Sequence, residues 1–268
     1  MKLSAISVAL FLVAGPLNVF ADDLDDALQA LKQAEPSKDA AKIKQLAAAA
    51  HALAKKLQEP PPADADKESY EARARYAKDV DTYSEYALYA LATQDPKESA
   101  DLISTLEQQN PKSQYLDRPD ALLILAESAL GKKQTDRALG YANRVIAAAN
   151  KKAPDGVTAA DWDHMKEAAL GRGYFLVGSI ACERNQYNVA DKNLRAALPM
   201  IKSNNAMMGP ALFCLGVVNY NLANMTASKA KMVEAAKFSE QSAAIPGPTQ
   251  DQAYKNSMAM KAAAEKMR

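Results

Sequence analysis

The sequence predicts an all-α protein, an α-solenoid of stacked helix pairs preceded by a helical hairpin. Composition is the first observation behind this. Alanine, the strongest helix former, fills 55 of the 268 positions, against only 10 glycines and 13 prolines, the residues that punctuate sheets and loops. The second is that helical stretches come in pairs, separated by short polar turns and recurring every few tens of residues, as in solenoids. The third is physical: no single pair can bury its apolar face alone, so neighbours must stack to make a continuous core. The 33 basic and 32 acidic side chains leave a formal charge of +1. That balance removes any electrostatic case for nucleic acid or an acidic membrane surface as partner.

Residues 1–21 read as a signal peptide. Lys2 supplies a positive start, residues 3–14 are almost wholly apolar, Gly15 and Pro16 break the run, and Val19, Phe20 and Ala21 permit a cut after Ala21. The apolar run is too short for an ordinary membrane span, so an uncleaved anchor is the lesser reading. Cleavage removes Lys2 alone among charged residues and brings the mature charge to zero. No cysteine lies near the cut to carry a lipid. A periplasmic or secreted chain without stable membrane insertion is expected.

Residues 22–59 form the predicted helical hairpin, with helices over 22–35 and 37–59, Pro36 between them and Ser37 as N-cap of the second. Ile43, Leu46, Ala50, Leu53 and Leu57 make a narrow apolar stripe of about two heptads. That is short of a coiled coil, and favours local packing over an oligomerisation helix. Pro60, Pro61, Pro62, Ala63 and Asp64 predict an extended linker over 60–65. One long helix then runs over 66–92 and carries Tyr76, Tyr83, Tyr86 and Tyr89. These rings are either a platform for sugars or peptides or, the favoured reading, core packing with wet hydroxyl tips.

Helix pairs follow across 66–248: 80–93 with 97–109, 119–131 with 135–149, 159–184 with 187–203, and 207–225 with 227–244. A capping helix over 249–268 closes the chain. The third pair holds the clearest pattern, with Tyr174, Val177 and Gly178 in its first helix and Tyr187, Ala190, Leu194, Ala197 and Leu198 in its second. Leu212, Leu215, Gly216, Ala236, Ala243 and Pro248 follow it in the fourth. Leu122, Leu125, Ala126, Ala129, Ala138, Ala142 and Val145 mark the second, and Tyr83, Tyr86, Ala87, Ala90, Ser99, Ile103, Leu106 and Pro111 the first.

On these residues the chain resembles the tetratricopeptide repeat family. Gly178 and Ala190 stand twelve apart, as the family pattern requires, while the small residues 87, 126, 178 and 216 are spaced more widely than the family's 34. Ala236 sits eight residues late in the fourth pair, which implies a longer first helix or turn. Small residues belong at these places because larger ones would hold crossing helices apart.

Chemistry is sparse. His51 and His164 have no ligand-spaced partners and read as solvated helix histidines, so no metal is assigned. Eight of the ten methionines lie between 200 and 267 without a tight repeated spacing, which favours core filling over a copper site. No Gly-x-Ser-x-Gly elbow occurs, and no thiol or hydroxyl forms a recognisable motif with histidine. Glu127-Ser128 matches the catalytic pair of lytic transglycosylases, but their downstream glycine-leucine-methionine-glutamine stretch is missing. The chain therefore reads as non-enzymatic, with no cofactor. Cys182 and Cys214 are its only thiols. The tetratricopeptide resemblance implies that Gly178 and Gly216 stand level on neighbouring first helices, which would put the thiols roughly 9 Å apart along the axis and a helix spacing apart across it, beyond bridging reach. Free thiols are expected.

What the resemblance implies is a partner-binding concave face lined by first helices. Carried over, it nominates Asp120, Leu123 and Glu127 in the second pair, Arg172, Phe175, Ser179 and Glu183 in the third, and Phe213, Val217 and Tyr220 in the fourth. Phe175 and Phe213 either form a peptide hot spot or pack against neighbouring helices. The lysine and asparagine clamp that some family members close on a C-terminal carboxylate is absent. Residues 111–115 resemble the proline-serine-tyrosine turn of envelope-assembly members. The expected function is an exported, non-catalytic scaffold or adaptor for a protein or peptide partner; a cell-wall glycan or polysaccharide module is the alternative.

Overall fold

The computed structural model describes residues 19–60, 66–153 and 157–267. Among them are eleven α-helices and two short 3-10 turns, with no strand. The expected signal peptide lies outside the described residues up to position 18, and the expected linker lies outside them over 61–65. The chain divides into two compact units, residues 1–91 and 92–268.

The first unit contains α1 (Val19–Ala34), a 3-10 turn (Glu35–Ser37), α2 (Ala40–Leu57) and most of α3 (Lys67–Gln94). Pro36 and Ser37 are absorbed into the turn, and Lys38 takes a left-handed conformation, so the cap of α2 moves two residues on. Asp39 accepts from the Lys42 amide at 3.1 Å. The stripe on α2 is also displaced. Ile43, Ala47, Ala50 and Ala54 are the buried line, and Leu46, Leu53 and Leu57 flank it half-buried. An alanine seam lets backbones approach closely, and the leucines then pack beside the contact instead of within it. Leu24, Ala77 and Val80 complete this core.

The second unit contains α4 (Ser99–Gln109), a 3-10 turn (Gln114–Asp117), α5 (Pro119–Gly131), α6 (Thr135–Ala149), α7 (Ala159–Glu183), α8 (Tyr187–Ala197), α9 (Asn205–Thr226), α10 (Lys229–Ala243) and α11 (Gln250–Lys266). Consecutive helices pack on each other from α4 to α11, and α5 also packs on α7 and α7 on α9. The predicted bounds of α5 and α6 coincide with the observed ones, because Pro119 opens α5 without losing a needed amide and a tight turn closes it.

That turn occurs three times. Lys133, Asn185 and Ala227 are left-handed, with φ of 58°, 57° and 50°. The next amide in each case reaches back to an alanine carbonyl: Gln134 to Ala129 at 2.8 Å, Gln186 to Ala181 at 2.8 Å and Ser228 to Ala223 at 3.0 Å. This bond satisfies a carbonyl that the helix end would leave orphaned. The helix crossings repeat as well. A Cβ on Gly178 would stand 2.6 Å from Leu194 Cγ, and one on Gly216 would stand 2.3 Å from Ser239 Oγ. Close approach at these two points requires glycine.

Beyond the glycine crossing, the α9–α10 pair runs further than α7–α8 on both arms. Ala223 follows Gly216 by seven residues, whereas Ala181 follows Gly178 by three. Its crossing partner is Ser239, with the Ala235 carbonyl one turn earlier. Ala236, nominated from spacing, is buried but one residue off that contact. An added turn on one arm of a hairpin must be matched on the other, and this accounts for the late alanine.

Candidate functional site

The nominated face falls on α5, α7 and α9 of the second unit. Arg172 on α7 meets Glu127 on α5, with Nε at 3.1 Å from Glu127 Oε1 and a second guanidinium nitrogen on the same oxygen. Both side chains are a little under half exposed, so the pair adds little stability. Its value is positional, since it joins two nominated residues from different pairs.

The other nominated residues divide by burial. Glu183 and Tyr220 are exposed, and Asp120, Ser179, Phe213 and Val217 are half-buried. Asp120 lies in the first turn of α5, with its carboxylate 2.9 Å from the Ala121 amide. Leu123 is core, only 5% exposed, and presents no surface to a partner. Phe175 is half-buried and packs against the core built from Ala181, Leu194, Leu215 and Val218. Ser179 Oγ is buried without a hydrogen-bond partner among the described residues.

Cys182 and Cys214 depart from expectation in position, though both thiols are free as expected. Cys182 Sγ lies 4.0 Å from the carbonyl oxygen of Cys214. Gly178 and Gly216 are therefore not level along α7 and α9, and the axial offset that was to separate the thiols is lost. The neighbouring Cys214 side chain holds the Cys182 thiol below its ordinary pKa, and Cys182 together with burial pushes the Cys214 thiol well above its own.

A polar cluster escaped the sequence reading altogether. Asn219, fully buried in the middle of α9, donates to Asp191 Oδ1 at 2.7 Å and to the Leu215 carbonyl at 3.0 Å. Arg195 on α8 grips both Asp191 oxygens at 2.9 Å, Glu234 at 2.8 Å and Asn219 Oδ1 at 3.3 Å, with its guanidinium 5.0 Å from the Phe238 ring centroid. The carboxylates raise the pKa of Arg195, Glu234 foremost. Asp191 and Arg195 are four apart on α8, and that spacing alone does not reveal Asn219 or Glu234 on the neighbouring helices. The usable signal was Asn219, an amide in an apolar run. Phe238, Leu198, Met208, Leu212 and Ile245 line a groove of about 560 Å³ beside this cluster, with Glu234 and Lys237 at its edge.

α9 is the one helix among the described residues long and apolar enough to cross a membrane by length and composition. Half of its apolar window is buried, and Asn219 ties it to charged neighbours on α8, as befits a core helix.

In the first unit two of the tyrosine hydroxyls have carboxylate partners, while Tyr76 and Tyr86 remain exposed. Tyr76 donates to Asp25, and Tyr83 donates to Glu35 at 2.7 Å. The Asp25 carboxylate, with some burial, pushes Tyr76 up to about 12, and burial with Glu35 raises Tyr83 further. Tyr83 and Tyr86 stack at a tilt, centroids 6.1 Å apart. His51 is not a solvated histidine. Its Nδ1 is 2.6 Å from the buried Asp81, whose other oxygen takes Lys55 at 3.0 Å. The i, i+4 pairing of His51 and Lys55 on α2 could not reveal the carboxylate opposite. His164 is exposed, as expected.

Among the described residues there is no group of three or more histidine, cysteine or carboxylate side chains placed to hold a metal. Met232 and Met260 are core, while Met225 and Met258 are exposed. The two thiols of the second unit lie close together, and the nominated charges and rings sit on α5, α7 and α9. No protein-family model, no curated protein and no solved structure matches this chain.

Proposed function

We propose that this chain is an exported, non-catalytic scaffold of tetratricopeptide-like helix pairs, which holds a protein or peptide partner along α5, α7 and α9 during cell-envelope assembly. The observation that carries the reading is the Arg172–Glu127 pair, because it joins face positions of successive first helices. The threefold turn and the glycine crossings at Gly178 and Gly216 support a repeating array. The Ser113 turn, whose hydroxyl accepts from the Tyr115 amide at 3.3 Å, supports the envelope role. The glycan alternative loses ground because the tips of Tyr76 and Tyr83 are engaged by carboxylates.

The test is a pull-down from envelope extract with the full chain against Tyr220→Ala with Glu183→Lys. Both residues are exposed, so helicity should not change. Retention of a protein by the parent and its loss in the variant is the expected result. Equal retention by both, or sedimentation with purified cell wall and no retained protein, would overturn the reading.

A further inference from the structure

We propose that Cys182 and Cys214 form a reversible intrachain disulfide that fastens α7 to α9 beneath the candidate binding face. The pair sits where the core of the third and fourth pairs meets the surface. Both residues are half-buried, and both pack on the cluster that contains Leu194, Leu215 and Val218. With Cys182 Sγ 4.0 Å from the Cys214 carbonyl oxygen, the two residues meet between α7 and α9, and closing the bond calls for rotation of the side chains toward each other. Ser179 and Phe175 lie one and two turns before Cys182 on α7, while Phe213 adjoins Cys214 on α9 and Val217 follows it by one turn. The bond would set the separation of these nominated positions.

The oxidant is a small-molecule disulfide. The Cys182 thiolate, stabilised by the Cys214 thiol, attacks one of its sulfurs, forms a mixed disulfide and expels one thiolate. Cys214 then loses its proton and attacks the Cys182 sulfur, and a second thiolate leaves. The two cysteines lose two electrons and two protons, and the small disulfide becomes two thiols. An excess of thiol reverses both steps. This inference does not depend on the scaffold reading, since its test contains no partner.

The experiment oxidises the full chain with oxidised glutathione and reads intact mass, free thiol and a non-reducing peptide map. The expected product is two hydrogens lighter, has no free thiol, carries a peptide joining Cys182 to Cys214, and melts roughly 5 °C or more higher than the reduced chain. Cys214→Ser should instead stop at a stable glutathione adduct on Cys182. Two separate adducts on the parent, thiols that stay free, a bridge between chains, or a joined product with an unchanged Tm would each overturn the proposal. The parent's outcome decides even where the serine variant fails to fold.

Discussion

Gly178 on α7 and Leu194 on α8 are in such close contact that a single added carbon would stand 2.6 Å from one Leu194 atom, 2.8 Å from a second, and 3.0 Å from the backbone nitrogen. Gly140 on α6 is the opposite case, exposed with nothing within 4 Å of its Cβ position. Helix propensity alone favours alanine over glycine by about 1 kcal/mol. Gly140→Ala should therefore stabilise by about 0.5–1 kcal/mol, while Gly178→Ala should destabilise by about 1–3 kcal/mol through overpacking. Urea unfolding of the two variants checks this, and the same sign for both would sink the crossing at Gly178.

Ala227 carries the left-handed turn between α9 and α10 at φ 50°. A side chain there is strained against the following carbonyl, and glycine is not. Ala227→Gly should raise stability by about 0.5–1 kcal/mol, against the usual trend for alanine-to-glycine changes. A fall in Tm in a thermal melt would mean that the turn is drawn wrongly.

Asn219→Leu keeps the apolar character of α9 but removes the amide that Asp191 and Arg195 both use. Leaving these partners short of a buried hydrogen bond should cost about 1–3 kcal/mol. Denaturant titration measures it. A variant as stable as the parent would show that the cluster is ornamental.

Tyr76, Tyr83 and Tyr141 all have raised pKa values. For Tyr76 the hydrogen bond to Asp25 leads, and for the other two burial leads, helped by Glu35 and Glu107. A raised folded value favours the protonated phenol in the native state. The resulting stability is complete below the unfolded pKa of about 10 and drains away as pH climbs past it. For Tyr76 the loss is complete near 12. Tm should hold level up to about pH 10 and drop beyond it, with phenolate absorbance lagging behind that of the unfolded chain. Phenols titrating together at the ordinary value would refute this.

Helix positions were legible because local signals coincide with the fold. Pro119 at the start of α5 and the polar residues of each turn mark the same boundaries that the backbone bonds at Gln134 and Gln186 close. Lateral relations were not legible. The level of Cys214 against Cys182 depends on how far α9 slides along α7, and no periodicity within either helix encodes that slide. For the same reason Asp81 could not be foreseen opposite His51, nor Glu234 opposite Arg195. Burial of Leu123 and the packing of half-buried Phe175 belong to the same class, since a family register gives a direction of projection but not the neighbour that covers it.

Arg195 holds residues of α8, α9 and α10 with one guanidinium. Stacked repeats ordinarily melt in increments, each pair answering only to its neighbours. Here α10 cannot peel away without stripping Glu234 from Arg195, and α9 cannot leave without withdrawing Asn219 from both charges. Fraying from that end is thereby converted into an all-or-none event, and amide protons on the three helices should exchange as one cooperative block.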